Sequence, residues 1–317
     1  MKILVTGAAG FIGSHLCEAL LGAEHKVTGM DNFDPFYDRA TKERNLDACR
    51  GMEGFNFVEL DLKDPAATRA LVEQGFDRVV HLAGREGTAT SGMEDPYLYM
   101  EDNYLATLNL LEAMRRTSVG KLVFASSAGV YGNLGQVPFR EDVSPGMALS
   151  PGTATKMACE LMCQAFHNIY SVEVYVLRLF TVYGPRQRPD MAVSRFVGAI
   201  NRRSSIKRYG DGSSERDYVY IGDVVEGLVK AVERVKGYEC INLGRGDTTS
   251  LSSLIGLIEE LLGQQAMVEE SPIPPWSAFR TFADISKAER LLGFAPKVGI
   301  KEGLRSFIQW YRKEQKA

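Results

Sequence analysis

No stretch of this sequence is apolar for long enough to cross a bilayer: Ile3 to Val5 and Leu122 to Ala125 are short runs, against the roughly 20 residues that a transmembrane helix needs. Neither sign of charge dominates. Thirty-seven Lys and Arg stand against 40 Asp and Glu, for a net charge of −3, so no global field recommends nucleic acid or an anionic membrane as a partner, and any anion must be held by a local site. Cysteine is sparse. Cys17, Cys49, Cys159, Cys163 and Cys240 are odd in number and scattered through helical patterns, which reads as reduced packing thiols rather than a disulfide framework. Cys159 and Cys163 sit four apart without further ligands, so no metal site is expected. Met1 and Lys2 run directly into a strand pattern with no room for a secretory signal, and a cytoplasmic location is the expectation.

What the chain does have is alternation. Short β-branched runs near 2–6, 26–30, 56–60, 78–82, 121–126 and 173–178 alternate with helical patterns, predicting an α/β fold with a doubly wound parallel sheet. From Tyr97 to Arg115, Leu98, Leu105, Leu108, Leu111 and Met114 recur at helical spacings, as in a helix buried on one stripe. Beyond about residue 185, loops carrying Gly and Pro separate short helices. The expected division is a Rossmann-like dinucleotide-binding part over 1–180, with a strand near 239–243 returning to it, and a smaller C-terminal substrate lobe over 181–317.

The first strand runs into Gly7-Ala8-Ala9-Gly10-Phe11-Ile12-Gly13, and a helical pattern with Leu16, Leu20 and Leu21 follows. Gly7 permits a tight turn, Gly10 lets backbone approach a pyrophosphate, and Gly13 lets helix and strand pack closely, while the helix N-terminus at Phe11 and Ile12 supplies N–H donors. The second strand ends at Asp31, followed by Asn32. A carboxylate there accepts hydrogen bonds from ribose hydroxyls and repels a 2′-phosphate, which favours NAD over NADP. Asp61 and Leu62 follow the third strand, in position to bracket the adenine. After the fourth strand, His81 precedes Leu82, Ala83 and Gly84, small enough in sum to let a cofactor lie close; taken alone, His81 reads as a core histidine.

The strings TGAAGFIGSH, HLAG, SSAGVYG, PGTATK, FTVYGPRQRPDM, YGDGSSERDYVYIGDVV and ADISKAERLLGFAPK together resemble the nucleotide-sugar epimerase/dehydratase family of extended short-chain dehydrogenase/reductases. The resemblance spans essentially the whole chain, and Thr181 to Met191 is most similar to the UDP-glucuronate 4-epimerase branch. It implies an NAD-dependent enzyme that oxidises a nucleotide-sugar, a UDP-sugar by the branch it resembles, transiently at C4. It also implies a homodimer formed through helices near 97–115 and 155–170. The family's reactive group is a Ser or Thr, a Tyr acting as base, and a Lys that lowers the Tyr pKa and holds the nicotinamide ribose. Ser127 and Lys156 match the first and last.

The tyrosine is missing. Four residues before Lys156, where it would share a helical face with the lysine, stands Gly152. Thr153 and Thr155 are no substitutes, since an aliphatic hydroxyl is far too weak an acid, and loss of a general base costs about 10² to 10⁴ in rate. Lys156, Glu86, Tyr99 or water would have to carry the proton. Two further departures border the same pocket: Ala89 replaces an arginine of the uronate branch, and Trp276-Ser277 replaces Gly-Asp. For substrate, the resemblance implies Arg216 and Arg280 as diphosphate contacts and Thr181 as a contact to the sugar carboxylate; Arg186 and Arg188 add further guanidinium forks. Ala128 and Gly129 supply no hydroxyl beside Ser127, so a neutral hexose or N-acetylhexosamine stays open. Competing with the enzyme are a catalytically silent NAD and nucleotide-sugar binding protein and, last, a reductase of free ketones.

Overall fold

The computed structural model describes residues 1–87, 95–117 and 119–315. Its first half alternates strands β1 (Lys2–Thr6), β2 (Lys26–Asp31), β3 (Phe55–Glu59), β4 (Arg78–His81), β5 (Lys121–Ser127) and β6 (Glu173–Leu179) with helices α1 (Phe11–Gly22), α2 (Arg39–Arg50), α3 (Pro65–Val72), α4 (Pro96–Tyr99), α5 (Ala106–Arg115) and α6 (Pro151–Tyr170). The second half adds β7 (Thr181–Tyr183), α7 (Ala192–Asn201), β8 (Ser205–Tyr209), β9 (Glu215–Arg216), β10 (Tyr218–Tyr220), α8 (Ile221–Arg234), β11 (Tyr238–Leu243), β12 (Thr249–Ser250), α9 (Leu251–Leu262), β13 (Met267–Ser271), α10 (Ser286–Leu292) and α11 (Ile300–Glu314).

Seven strands form one parallel sheet in the order β11-β6-β5-β4-β1-β2-β3. Its central strands are apolar on both faces, Ile3, Leu4 and Val5 in β1 and Val79 and Val80 in β4 being buried, as a sheet covered on both sides by helices requires. Burying each such side chain stabilises the fold by roughly 1.5 to 3 kcal/mol. The strand order reverses between β1 and β4, and a doubly wound sheet opens a crevice at the carboxyl ends of its strands at such a point.

The strand anticipated near 239–243 is β11, and it extends the sheet beyond β6. It does not return alone: Val224, Leu228 and Ala231 of α8 share a core with Leu16 and Leu20 of α1. The smaller lobe has its own core around Tyr183, Val193, Phe196, Leu254, Leu304 and Phe307 and three two-stranded pairings, β7 with β10, β9 with β12 and β8 with β13.

One expectation needs correction. The segment from Tyr97 to Arg115 is not one regular helix, because a π-helical turn over Met100–Leu105 separates α4 from α5. The wider turn advances the buried face by about one residue. Tyr99, Asn103, Ala106, Thr107, Leu110 and Met114 are therefore buried, and Leu105, expected inside, is exposed.

Candidate active site

The crevice is a cleft of about 590 Å³ that runs from the turn after β1, past the ends of β4 and β5, to the smaller lobe. At its nucleotide end Gly7 takes φ +70°. A Cβ there would lie 2.8 Å from the Ala83 nitrogen, and one on Gly13 would lie 2.1 Å from the Gly7 carbonyl oxygen, so neither position can carry a side chain. Gly10 caps α1 without a side-chain bond, leaving the N–H groups of the first turn, at Phe11, Ile12 and Gly13, for an anion in the cleft.

Asp31 lies in the cleft wall. Its Oδ2 accepts from the Ala9 N–H (3.1 Å) and its Oδ1 from the Phe33 N–H (2.9 Å), which fixes the carboxylate while leaving each oxygen a further lone pair. Burial raises its pKa above the usual carboxylate range, and the charge of Lys42 works against that rise. Asn32 donates to Asp61 Oδ2 (3.0 Å), tying the ends of β2 and β3 together. Asp61, Leu62, Leu82, Ala83 and Gly84 all reach the cleft. His81 does not. It bridges Thr6 Oγ1 (2.7 Å) and Thr107 Oγ1 (3.0 Å) inside the core, and burial, with a smaller contribution from the charge of Lys156, pushes its pKa down to about 3.

At the reactive end, Ser150 caps α6 by accepting from the Thr153 N–H (3.2 Å), and Pro151 opens the first turn, a start signal that sets Gly152 and Lys156 one turn apart. Lys156 is buried, donates to the Ala125 carbonyl (3.0 Å) and lies over the Phe124 ring. Ser127 Oγ accepts from the Gly129 N–H (3.1 Å) and donates to Glu86 Oε1 (3.0 Å). Gly152 does not reach the cleft surface; Tyr99 does. A Cβ on Gly152 would meet Tyr99 Cε1 at 3.0 Å, so the ring of Tyr99 lies on the helix at the bare glycine. Ala89 lies outside the described residues.

The arginines separate. Arg216 and Arg188 line the cleft with Thr181, Trp276 and Ser277. The Arg216 guanidinium donates to the Phe279 carbonyl (3.1 Å) and Ser277 Oγ (3.1 Å), and also to the Ala278 carbonyl. Arg188 instead pairs with Asp190 (2.9 Å) and donates to the Glu86 carbonyl (3.1 Å). Arg186 and Arg280 do not line the cleft. Arg186 has φ +63°, which turns its side chain back onto α1, where it pairs with Glu18. Arg280 pairs with Glu215 (2.5 Å), and Thr281, its neighbour along the chain, faces the cleft in its place.

Sequence reasoning missed Arg195, which enters the cleft from the first turn of α7. Its position four residues after Met191 was a usable signal. Asn103 was also missed, because its burial depends on the π-helical turn. The five cysteines carry free thiols, four of them buried. Among the described residues no group of three or more His, Cys, Asp or Glu could hold a metal ion, and no helix is long and apolar enough to cross a membrane.

The NAD dependent epimerase/dehydratase family matches residues 3–244. The UDP-glucuronate 4-epimerase of Thermodesulfobacterium geofontis is 39% identical over 309 residues, 97% of this chain and 95% of that protein. The crystal structure of the Bacillus cereus UDP-glucuronic acid 4-epimerase in complex with UDP-glucuronic acid and NAD superposes with a TM-score of 0.94 at 36% identity, covering 99% of this chain and all of that one. The UDP-glucose 4-epimerase of Thermotoga maritima with UDP-glucose gives 0.90 at 31% identity, covering 99% of this chain and 100% of that one. With glycines that leave no room for a Cβ at the phosphate turn, a fixed Asp31 at the end of β2, and Ser127 and Lys156 facing one cleft, the chain belongs to the NAD-dependent epimerase/dehydratase family.

Proposed function

We propose that this protein oxidises a UDP-hexuronate at C4 and reduces the ketone from the opposite face, interconverting the two C4 epimers. The observation that carries this reading is the continuity of one cleft, from the glycine turn past Lys156 and Ser127 to Arg195 and Arg216. Neither of these two arginines makes an ion pair among the described residues, which suits them to a diphosphate, and the N-terminus of α7 adds N–H donors beside Arg195. Thr181 offers a hydroxyl to the sugar carboxylate.

Gly7, Gly10, Gly13, Asp31, Asp61 and Gly84 would hold NAD, with Lys156 at its nicotinamide end. When bound, the nicotinamide supplies the redox chemistry, oxidising the sugar carbon and reducing it again. Lys156 contributes a positive charge at the reactive end. Ser127 provides a hydroxyl for the C4 oxygen, and the packed Tyr99 ring limits water beside Gly152. With a uronate the 4-ketone is a β-keto acid, so the site must return hydrogen before carbon dioxide is lost.

The same helices support a homodimer. Tyr97, Met100, Leu105, Leu161 and Ile169 are exposed apolar residues on α4, the π-helical turn and α6, a surface that a second copy would cover.

The test is to incubate the chain with NAD and, separately, UDP-glucuronate, UDP-galacturonate, UDP-glucose and UDP-N-acetylglucosamine, following products by NMR. Interconversion of the two uronates is expected. A UDP-pentose would make the reaction a decarboxylation, and binding without product would leave a silent binding protein.

A further inference from the structure

We propose that Glu86, acting through Ser127, takes the proton that the missing tyrosine would have taken. This rests on the epimerase reading above. The Ser127 hydroxyl donates to Glu86 Oε1 at 3.0 Å, and both residues face the cleft. A carboxylate needs no neighbouring cation to be a base at neutral pH, whereas a phenol does.

The position of Glu86 is built, not incidental. Asn103, in the π-helical turn, clamps the preceding residue: its Oδ1 accepts from the Arg85 N–H (2.7 Å) and its Nδ2 donates to the Arg85 carbonyl (2.9 Å) and to Thr155 Oγ1 (2.9 Å). The Arg85 guanidinium is held by Asp102 (2.8 Å) and Asp34 (3.1 Å). On the other side Arg188 donates to the carbonyl of Glu86 itself. Helix α6, the loop after β7 and the π-helical turn thus converge on a two-residue segment and aim its carboxylate at Ser127. Of the tyrosines nearby, Tyr131 is buried with its hydroxyl on Asn242 (2.8 Å), and Tyr99 presents the Cδ1–Cε1 edge of its ring to Gly152.

With NAD bound, C4 would lose its hydrogen with both bonding electrons to the oxidised nicotinamide. Its hydroxyl proton passes to Ser127 Oγ, and the proton of Ser127 passes to Glu86. The result is a C4 ketone, a reduced nicotinamide and a neutral carboxyl; the return step reverses each transfer on the other face of the sugar. Among the described residues, the charged and titratable groups that face Glu86 across the cleft or hold its neighbours include Lys156 from α6, Arg188 with Asp190, the Arg85–Asp34–Asp102 cluster and Tyr99.

Glu86→Gln keeps an acceptor for Ser127 but cannot take its proton. With UDP-glucuronate, kcat is expected to fall about 10²-fold or more, and the fall of the wild-type rate toward acid pH is expected to vanish. Calorimetric affinities for NAD and UDP-glucuronate and the melting temperature should stay unchanged. Glu86→Asp should recover part of the rate. A Glu86→Gln enzyme with wild-type kcat and pH profile overturns the inference and leaves the epimerase reading standing. A wild-type chain that binds UDP-glucuronate without turning it over overturns both.

Discussion

At the nucleotide end of the cleft a Cβ on Gly13 would meet the carbonyl oxygen of Gly7 at 2.1 Å, while at the reactive end a Cβ on Gly152 would meet the edge of the Tyr99 ring at 3.0 Å. The first obstacle is backbone in a turn that the phosphate site requires, and it cannot move without dismantling the site. The second is a side chain, which can yield. Two glycines in one cleft therefore mean different things: Gly13 is required by geometry, whereas Gly152 is tolerated because an aromatic ring from α4 covers the helix there and a carboxylate from the loop after β4 reaches the serine.

Substitutions that separate the two ends follow from this contrast. The largest effect belongs between them, at His81. Its folded pKa is depressed to about 3, so its contribution is complete above its unfolded value of about 6.5 and is lost as pH falls from there toward 3, a linkage of about 5 kcal/mol in all. Urea denaturation should show the wild type losing more stability than His81→Asn between pH 7 and pH 4.5; parallel losses would refute the buried neutral imidazole. Gly13→Ala comes next, with an expected loss of about 3 kcal/mol in urea unfolding and no measurable NAD binding by calorimetry. Asp31→Asn should weaken NAD about 10-fold, one hydrogen bond to a charged group, and leave UDP-glucuronate affinity alone. Gly152→Ala is the smallest: crowding against Tyr99 opposes a gain in helix propensity of about 1 kcal/mol, so stability should change by less than about 1 kcal/mol. If Gly152→Ala matched Gly13→Ala, the contrast between the two glycines would be lost.

Much of the nucleotide end was legible in the sequence because its chemistry is local. Gly7, Gly10 and Gly13 act on residues a few positions away, and Asp31 is placed by a strand whose end the apolar run already marks. Ser127 and Lys156 were found by resemblance, and the structure brings both to the cleft. Glu86 was one of several proton carriers that the sequence left open. What singles it out is Asn103, and the position of Asn103 depends on a widened helical turn that regular periodicity cannot reveal. The same turn explains why Leu105 was expected inside and lies outside. The arginines divided for a related reason, Arg188 and Arg216 lining the cleft and Arg186 and Arg280 not: residue type and proximity in the chain do not give direction. A positive φ turned Arg186 away, while Arg195, four residues beyond the motif that ends at Met191, was carried into the cleft by α7.

The most direct measurement compares wild type and Gly152→Tyr side by side, with NAD and UDP-glucuronate, following UDP-galacturonate by NMR. The account predicts that the wild type forms it without a phenol at position 152, and that Gly152→Tyr gains nothing, because the proton already leaves through Ser127 to Glu86. A silent wild type and an active Gly152→Tyr would contradict it and make this cleft that of a disabled epimerase.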